Sequence, residues 1–188
     1  VTPFSVADME FKNAPAIVEG LKEYIGRTVL GYTDPWDNYY EAICSWMDKR
    51  HQWKINPDWV VPTPGIVAAL SCAVRAYTNP GDGVCIMTPV YFPFYSVIEL
   101  NKRVVVENPL IRNENTYSID FDDMEKKLSQ DSVKLMILCS PHNPVGRVWT
   151  RDELRRIGDL CNRYNVIMIS DEIHFDVVMP GHKHTVYG

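Results

Sequence analysis

Four short segments carry residue types with more chemistry than a turn needs. Pro62-Thr63-Pro64-Gly65-Ile66-Val67 sets a glycine ahead of an apolar helical run. A Gly-bearing turn at a helix N-terminus leaves backbone N–H groups free and adds the positive end of the helix dipole, which suits a phosphate. Thr88-Pro89-Val90-Tyr91-Phe92-Pro93-Phe94-Tyr95 sets two of its prolines among aromatic rings, and a rigidly held ring offers a face for stacking. In Ser140-Pro141-His142-Asn143-Pro144-Val145-Gly146 two prolines hold Asn143, whose amide can donate to a ligand oxygen. Ser170-Asp171-Glu172-Ile173-His174 places two acids after an apolar run, where a carboxylate costs free energy unless a cation meets it. Each also has a plainer reading: an ordinary strand–helix turn, core aromatics, an Asn bonding its own backbone, a salt bridge or a helix cap.

The elements between these segments decide whether they can meet. Helical spacing predicts helices over 14–27, capped by Asn13 with Pro15 in the first turn, and over 37–51, after the turn Asp34-Pro35-Trp36-Asp37. Further helices are expected over 65–77, 91–100, 121–129 with Asp120 as cap, and 151–164 with Thr150 and Glu153 as a capping box. Short apolar runs read as strands at 59–61, 84–87, 103–107, 134–139 and 166–169. Continuous rather than alternating apolar strands, separated by helices, predict a parallel sheet covered on both faces, hence an α/β fold. Ligands in such folds collect at the carboxyl ends of the strands. All four segments follow a predicted strand.

Composition narrows the class. The chain has 188 residues, 46% of them hydrophobic and 23% charged, which is ordinary for a globular protein with a sizeable core. Nineteen basic and 24 acidic residues give a net charge of −5, which argues against a broad grip on nucleic acid or anionic lipid. No apolar run approaches the roughly 18 residues of a membrane helix, and no signal peptide is legible. The five cysteines, Cys44, Cys72, Cys85, Cys139 and Cys161, have no C-x-x-C spacing and read as reduced, mostly buried thiols of a cytoplasmic protein. His182-x-His184 has the spacing of a ligand pair without a placed partner. It reads as a solvent-exposed loop, and no metal is expected. No G-x-S-x-G or Walker motif is present. The five tryptophans read as core or dimer-interface residues.

A phosphate cradle, a stacking ring, an amide and a buried acid at neighbouring strand ends are the set that pyridoxal 5′-phosphate needs. Its phosphate wants backbone N–H groups and its ring a face. Its phenolic oxygen wants a donor, and its pyridine nitrogen wants a carboxylate that keeps it protonated.

The sequence resembles pyridoxal-phosphate enzymes of the aspartate-aminotransferase fold (fold type I, class I/II aminotransferases), most of all their cystathionine beta-lyase or C–S lyase branch. The resemblance covers essentially the whole chain. Its carriers are Val6-Ala7-Asp8-Met9-Glu10-Phe11, Gly31-Tyr32-Thr33, Thr88-Pro89-Val90-Tyr91, the loop from Cys139 to Gly146, and Ser170-Asp171-Glu172-Ile173-His174. It implies a three-layer α/β/α large domain with a mostly parallel sheet. Residues 1–30 would belong partly to the small domain, and 31–188 would form an incomplete large cofactor-binding domain, the chain being an internal fragment. It further implies that Gly65, Ile66 and Val67 hold the phosphate, Tyr91 stacks on the ring, Asn143 bonds the phenolic oxygen, and Asp171 pairs with the pyridinium. Tyr32 would reach the phosphate of a neighbouring subunit, which makes a homodimer the expected assembly. His174 stands where most aminotransferases of the class carry a tyrosine, which favours the lyase branch.

No catalytic residue of the family falls within the chain. Its Schiff-base lysine is expected downstream of Gly188. Lys183, the sole lysine after Asp171, lacks the expected flanks and reads as surface. The implied activity of the complete protein is β-elimination of a sulfur amino acid to pyruvate, ammonia and a thiol. An aminotransferase is the alternative on the same scaffold. An effector-binding or regulatory domain, preceded by a DNA-binding module, is the alternative of another class.

Overall fold

The computed structural model describes residues 11–188, so the Val6–Glu10 part of the first motif lies outside the described residues. The chain divides into two compact units, one ending at Tyr39 and the other Tyr40–Gly188. In the first unit, helix α1 (Pro15–Arg27) begins one residue later than expected. Pro15 takes its first position, so the cap falls on Ala14, which has no side-chain acceptor, and not on Asn13.

Helix α2 (Asp37–His51) has the expected bounds. The second unit is built on a four-stranded parallel sheet whose strands, numbered by position in the chain, lie in the order 2-1-5-6. Its strands are β1 (Gly83–Thr88), β2 (Val104–Pro109), β5 (Val133–Cys139) and β6 (Ile167–Asp171). Helices α3 (Ile66–Tyr77) and α4 (Pro93–Leu100) cover one face, and α5 (Phe121–Leu128) and α6 (Arg151–Arg163) the other. Alternate residues of the central strands serve opposite layers. Val84, Ile86, Leu135 and Ile137 meet Leu70, Val74, Phe94 and Ile98, whereas Cys85, Met87, Met136 and Leu138 meet Met124, Leu128, Ile157 and Leu160. Both faces are therefore dry, which is why these strands read as unbroken apolar runs. Each such side chain contributes about 1.5–3 kcal/mol on burial.

The predicted caps hold in the second unit. The Asp120 carboxylate accepts from Asp123 N–H at 2.9 Å. Thr150 and Glu153 form the reciprocal capping box at the start of α6.

One expected element fails, and one that forms was not foreseen. No strand forms at 59–61. Pro57–Trp59 is a 3-10 turn, nucleated by the Asn56 side chain accepting from Asp58 N–H at 3.0 Å, and Trp59 and Val61 are exposed. The Gly65 turn thus follows a 3-10 turn, not a strand. A two-stranded hairpin, β3 (Ile111–Arg112) with β4 (Tyr117–Ser118), was not legible in so short and polar a stretch. Of the tryptophans, expected in the core or at a dimer interface, Trp149 lies in the core, and Trp36, Trp46 and Trp59 are exposed on this chain. Among the described residues no helix is long and apolar enough to cross a membrane.

Candidate active site

Strand register brings three of the four segments to one edge. Ile86 of β1 lies opposite Ile137 of β5, and Cys139 at the end of β5 lies opposite Asp171 at the end of β6. The ladder continues past the strands, since Ser140 N–H donates to the Asp171 carbonyl at 2.9 Å. The fourth segment arrives on the helix that covers this end. The short turn before β1 sets the C-terminus of α3 at the start of the sheet, so its N-terminus returns to the carboxyl edge. Ile66 lines a cavity of about 430 Å³ together with Ser170, Glu172 and Ile173.

At the head of α3, Gly65 has φ +99°, a conformation that side chains rarely adopt, and the space where a Cβ would stand is open. Thr63 brackets it, accepting from Gly65 N–H at 2.7 Å and donating through its hydroxyl to the Gly65 carbonyl at 3.2 Å. The N–H groups of Ile66 and Val67 lie in the first helical turn, where no intrahelical acceptor exists. This is a backbone anion cradle open to solvent.

Tyr91 stands between β1 and α4. Its exposed ring meets the buried Phe94 edge-on at 6.1 Å and Phe92 at 5.6 Å, which fixes its plane. Asn143 sits in a loop closed at its base. His142 N–H donates to the Arg147 carbonyl and Gly146 N–H to the His142 carbonyl, both at 2.8 Å. The Asn143 backbone N–H is spent on Cys139 Sγ at 3.4 Å, and its carboxamide takes no partner among the described residues.

Of the two acids at the end of β6, the structure leaves one uncommitted. Glu172 accepts from the Ser170 hydroxyl at 2.8 Å, from Tyr187 N–H at 3.1 Å, and pairs with His184 Nε2 at 2.6 Å. Asp171, only 7% exposed, accepts one bond, from Ile173 N–H at 3.2 Å, and makes no ion pair among the described residues. Burial raises its pKa; the Ile173 N–H and the neighbouring His174 oppose the rise, and Glu172 adds to it. A buried carboxylate raised in this way is short of a cation. His174 is half-buried beside it.

Tyr32 belongs to the first unit and is fully exposed. Lys183 is exposed and donates to the Gln52 side chain at 2.9 Å. His184, expected in an exposed loop, is instead buried against Glu172, because that acid needs a partner once the chain folds back over β6. His182 is exposed, and no group of three or more His, Cys, Asp or Glu side chains that could hold a metal occurs among the described residues. Sequence reasoning missed the second histidine–carboxylate pair, His51 with Asp176 at 2.8 Å, which the Trp46 indole also joins at 2.9 Å. It also gave no role to His142, and it read Trp149 only as a core or interface residue. The only legible signal at His142 was its membership of the proline-bounded loop.

The residues fit pyridoxal phosphate on three observations of this structure: an open backbone cradle at Gly65, a spare carboxamide at Asn143, and a buried Asp171 with no ion pair among the described residues.

A family model described as aminotransferase class I and II matches residues 1–186. Cystathionine beta-lyase PatB of Bacillus subtilis (strain 168) is 49% identical over 185 residues, which cover 98% of this chain and 48% of the relative. Protein MalY of Escherichia coli (strain K12) is 39% identical over 184 residues, 97% of this chain and 47% of that one. Among solved structures, cystalysin from Treponema denticola, which contains a pyridoxal 5′-phosphate cofactor, matches with a TM-score of 0.97 at 50% identity, covering 100% of this chain and 48% of that one. A PLP-bound C-S lyase from Staphylococcus hominis matches with a TM-score of 0.93 at 38% identity, over 97% of this chain and 47% of that one. The chain spans about half the length of the curated relatives it matches.

Proposed function

This chain belongs to the aminotransferase class I and II family, and on that premise we propose that it is the cofactor-binding part of a pyridoxal-phosphate-dependent carbon–sulfur lyase. The reaction is β-elimination: L-cystathionine or a related sulfur amino acid and water give a thiol, pyruvate and ammonia. The observation that carries the cofactor reading is Asp171, a buried carboxylate with no cation, level with the loop that bears Asn143. The branch rests on relatives named for that chemistry, at 49% and 38% identity.

When bound, pyridoxal phosphate supplies an electron-withdrawing ring that accepts the electron pair released at the substrate Cα. In our reading, each residue of the chain has one task. Asp171 holds a proton at the pyridine nitrogen, so the ring stays an electron sink. Asn143 donates from its carboxamide to the phenolic oxygen, with His174 close by. Gly65, Ile66 and Val67 hold the phosphate through backbone N–H groups. Tyr91 covers one ring face and excludes water from it. Tyr32 serves the phosphate of a neighbouring subunit, which makes the working unit a homodimer. Residues 31–188 form the large domain and 1–30 contribute partly to the small one. We place the lysine that anchors the cofactor and moves the Cα proton downstream of Gly188. The free thiols suit a reducing cytoplasm.

The test supplies a polypeptide carrying this segment with pyridoxal phosphate and L-cystathionine, without a keto acid, and follows pyruvate. Sustained pyruvate release is expected. Amino-group transfer only, once a keto acid is added, would make the protein an aminotransferase. Neither activity, with cofactor bound, would favour a regulatory domain.

A further inference from the structure

His142 has no task in the reading above, yet it is buried and held from every side. Its backbone is bonded in both directions within the loop closed by Arg147. Its Nε2 lies 2.9 Å from the carbonyl oxygen of Pro89, which sits 53 positions away in the chain. A carbonyl oxygen only accepts, so Nε2 carries the proton. Nδ1 is sealed from solvent without a partner, and no carboxylate pairs with the ring among the described residues. Burial lowers the pKa of the ring against the opposing pull of the Pro89 and Cys139 carbonyls, which favours the neutral imidazole.

Trp149 stops it from swinging. The indole meets the imidazole edge-on at 5.4 Å and donates its N–H to the Cys139 carbonyl at 2.9 Å. Arg147 lies over the indole at 4.7 Å and is itself held by both oxygens of Glu153.

An orphaned buried nitrogen destabilises, and an apolar side chain of similar size avoids it. What the imidazole adds is one directed bond between the loop after β5 and the loop after β1. Asn143 follows His142 immediately, and Tyr91 lies two residues past Pro89. We propose that His142 is a positioning residue: its Nε2–H bond to Pro89 sets the Asn143 carboxamide and the Tyr91 ring in register, so that one flat ligand meets a donor at its oxygen edge and a ring on its face. The inference rests on the cofactor reading above and assigns a part to a residue which that reading leaves idle.

The test uses the full chain and pyridoxamine 5′-phosphate, which needs no covalent attachment, beside its analogue lacking the ring hydroxyl. Dissociation constants come from tryptophan fluorescence. The wild type is expected to prefer the hydroxylated ligand about tenfold, the worth of one well-placed hydrogen bond. His142→Leu is expected to shrink that preference to about twofold, whereas His142→Gln, whose amide reaches the Nε2 position, retains it. A general loss of stability weakens both ligands alike and leaves the ratio in place. Should His142→Leu not fold, His142→Asn, whose amide stops short of Pro89, replaces it. The proposal is overturned if the ratio survives in the Leu or Asn variant, or if His142→Gln loses it as fully as they do. Failure of the wild type to bind either ligand overturns the cofactor reading itself.

Discussion

Asp171→Asn is expected to stabilise the ligand-free protein at pH 7 while weakening its hold on pyridoxamine 5′-phosphate. The amide has the shape of the carboxyl and keeps the acceptor that Ile173 N–H uses. What it removes is a charge that is nine-tenths buried and makes no ion pair among the described residues. The folded-state pKa of Asp171 is raised above the ordinary 3.8, chiefly by burial. Below 3.8 the carboxyl is protonated in both states and has no effect. As pH rises through that value and then through the higher folded one, the native state keeps its proton longer, so wild-type stability declines across the window and stays lower at pH 7. Asparagine does not titrate, so the variant's advantage should appear between those two values and then hold constant. Ligand binding runs the other way. A charge-assisted hydrogen bond to a pyridinium is worth about 1.5–3 kcal/mol, so its loss weakens binding roughly tenfold to a hundredfold. Urea unfolding at several pH values and fluorescence titration with the ligand measure the two effects. An Asn variant that binds as tightly as wild type, or that is less stable at pH 7, refutes the assignment of Asp171 as the waiting counter-charge.

Gly65→Ala places a side chain where φ is +99°, with nothing to clash against. The expected cost is backbone strain of about 1–3 kcal/mol, together with weaker phosphate binding, read by denaturant midpoint and by ligand titration; an unchanged affinity would remove this turn from the site. Thr150→Ala breaks the capping box of α6 and should cost about 1 kcal/mol in urea unfolding without touching ligand affinity. Burial pushes the thiols of Cys85 and Cys161 up to about 12 and that of Cys139 up to about 11. At pH 8 an alkylating reagent should therefore modify the exposed Cys72 in the native protein and spare these three until it unfolds, as mass spectrometry of the adducts would reveal. Rapid labelling of Cys139 in the native state would contradict the buried end of β5.

Local chemistry was enough to read the layered fold and most of its candidate site. The apolar runs at 84–87 and 134–139 can bury only if both faces of the sheet are covered, and the caps at Asp120 and Thr150 depend on neighbours within three residues. For the same reason Gly65, Asn143 and Asp171 were visible, since each is marked by residue type at the end of an element. The failures were of another kind. Trp59-Val60-Val61 is as apolar as a strand, but strand formation needs a partner edge, and nothing in the triplet says whether one is free. Residue type alone offered Asp171 and Glu172 as two equal acids, and only the family resemblance favoured Asp171. Only folding brings His184 and Tyr187 back onto Glu172 and leaves Asp171 with no ion pair among the described residues. The tie between His142 and Pro89 likewise joins loops whose separation in sequence carries no signal. Periodicity, caps and turn chemistry act over a few residues and are written in order along the chain. Which buried polar group meets which depends on how distant segments are brought together, and that was settled only when the sheet closed.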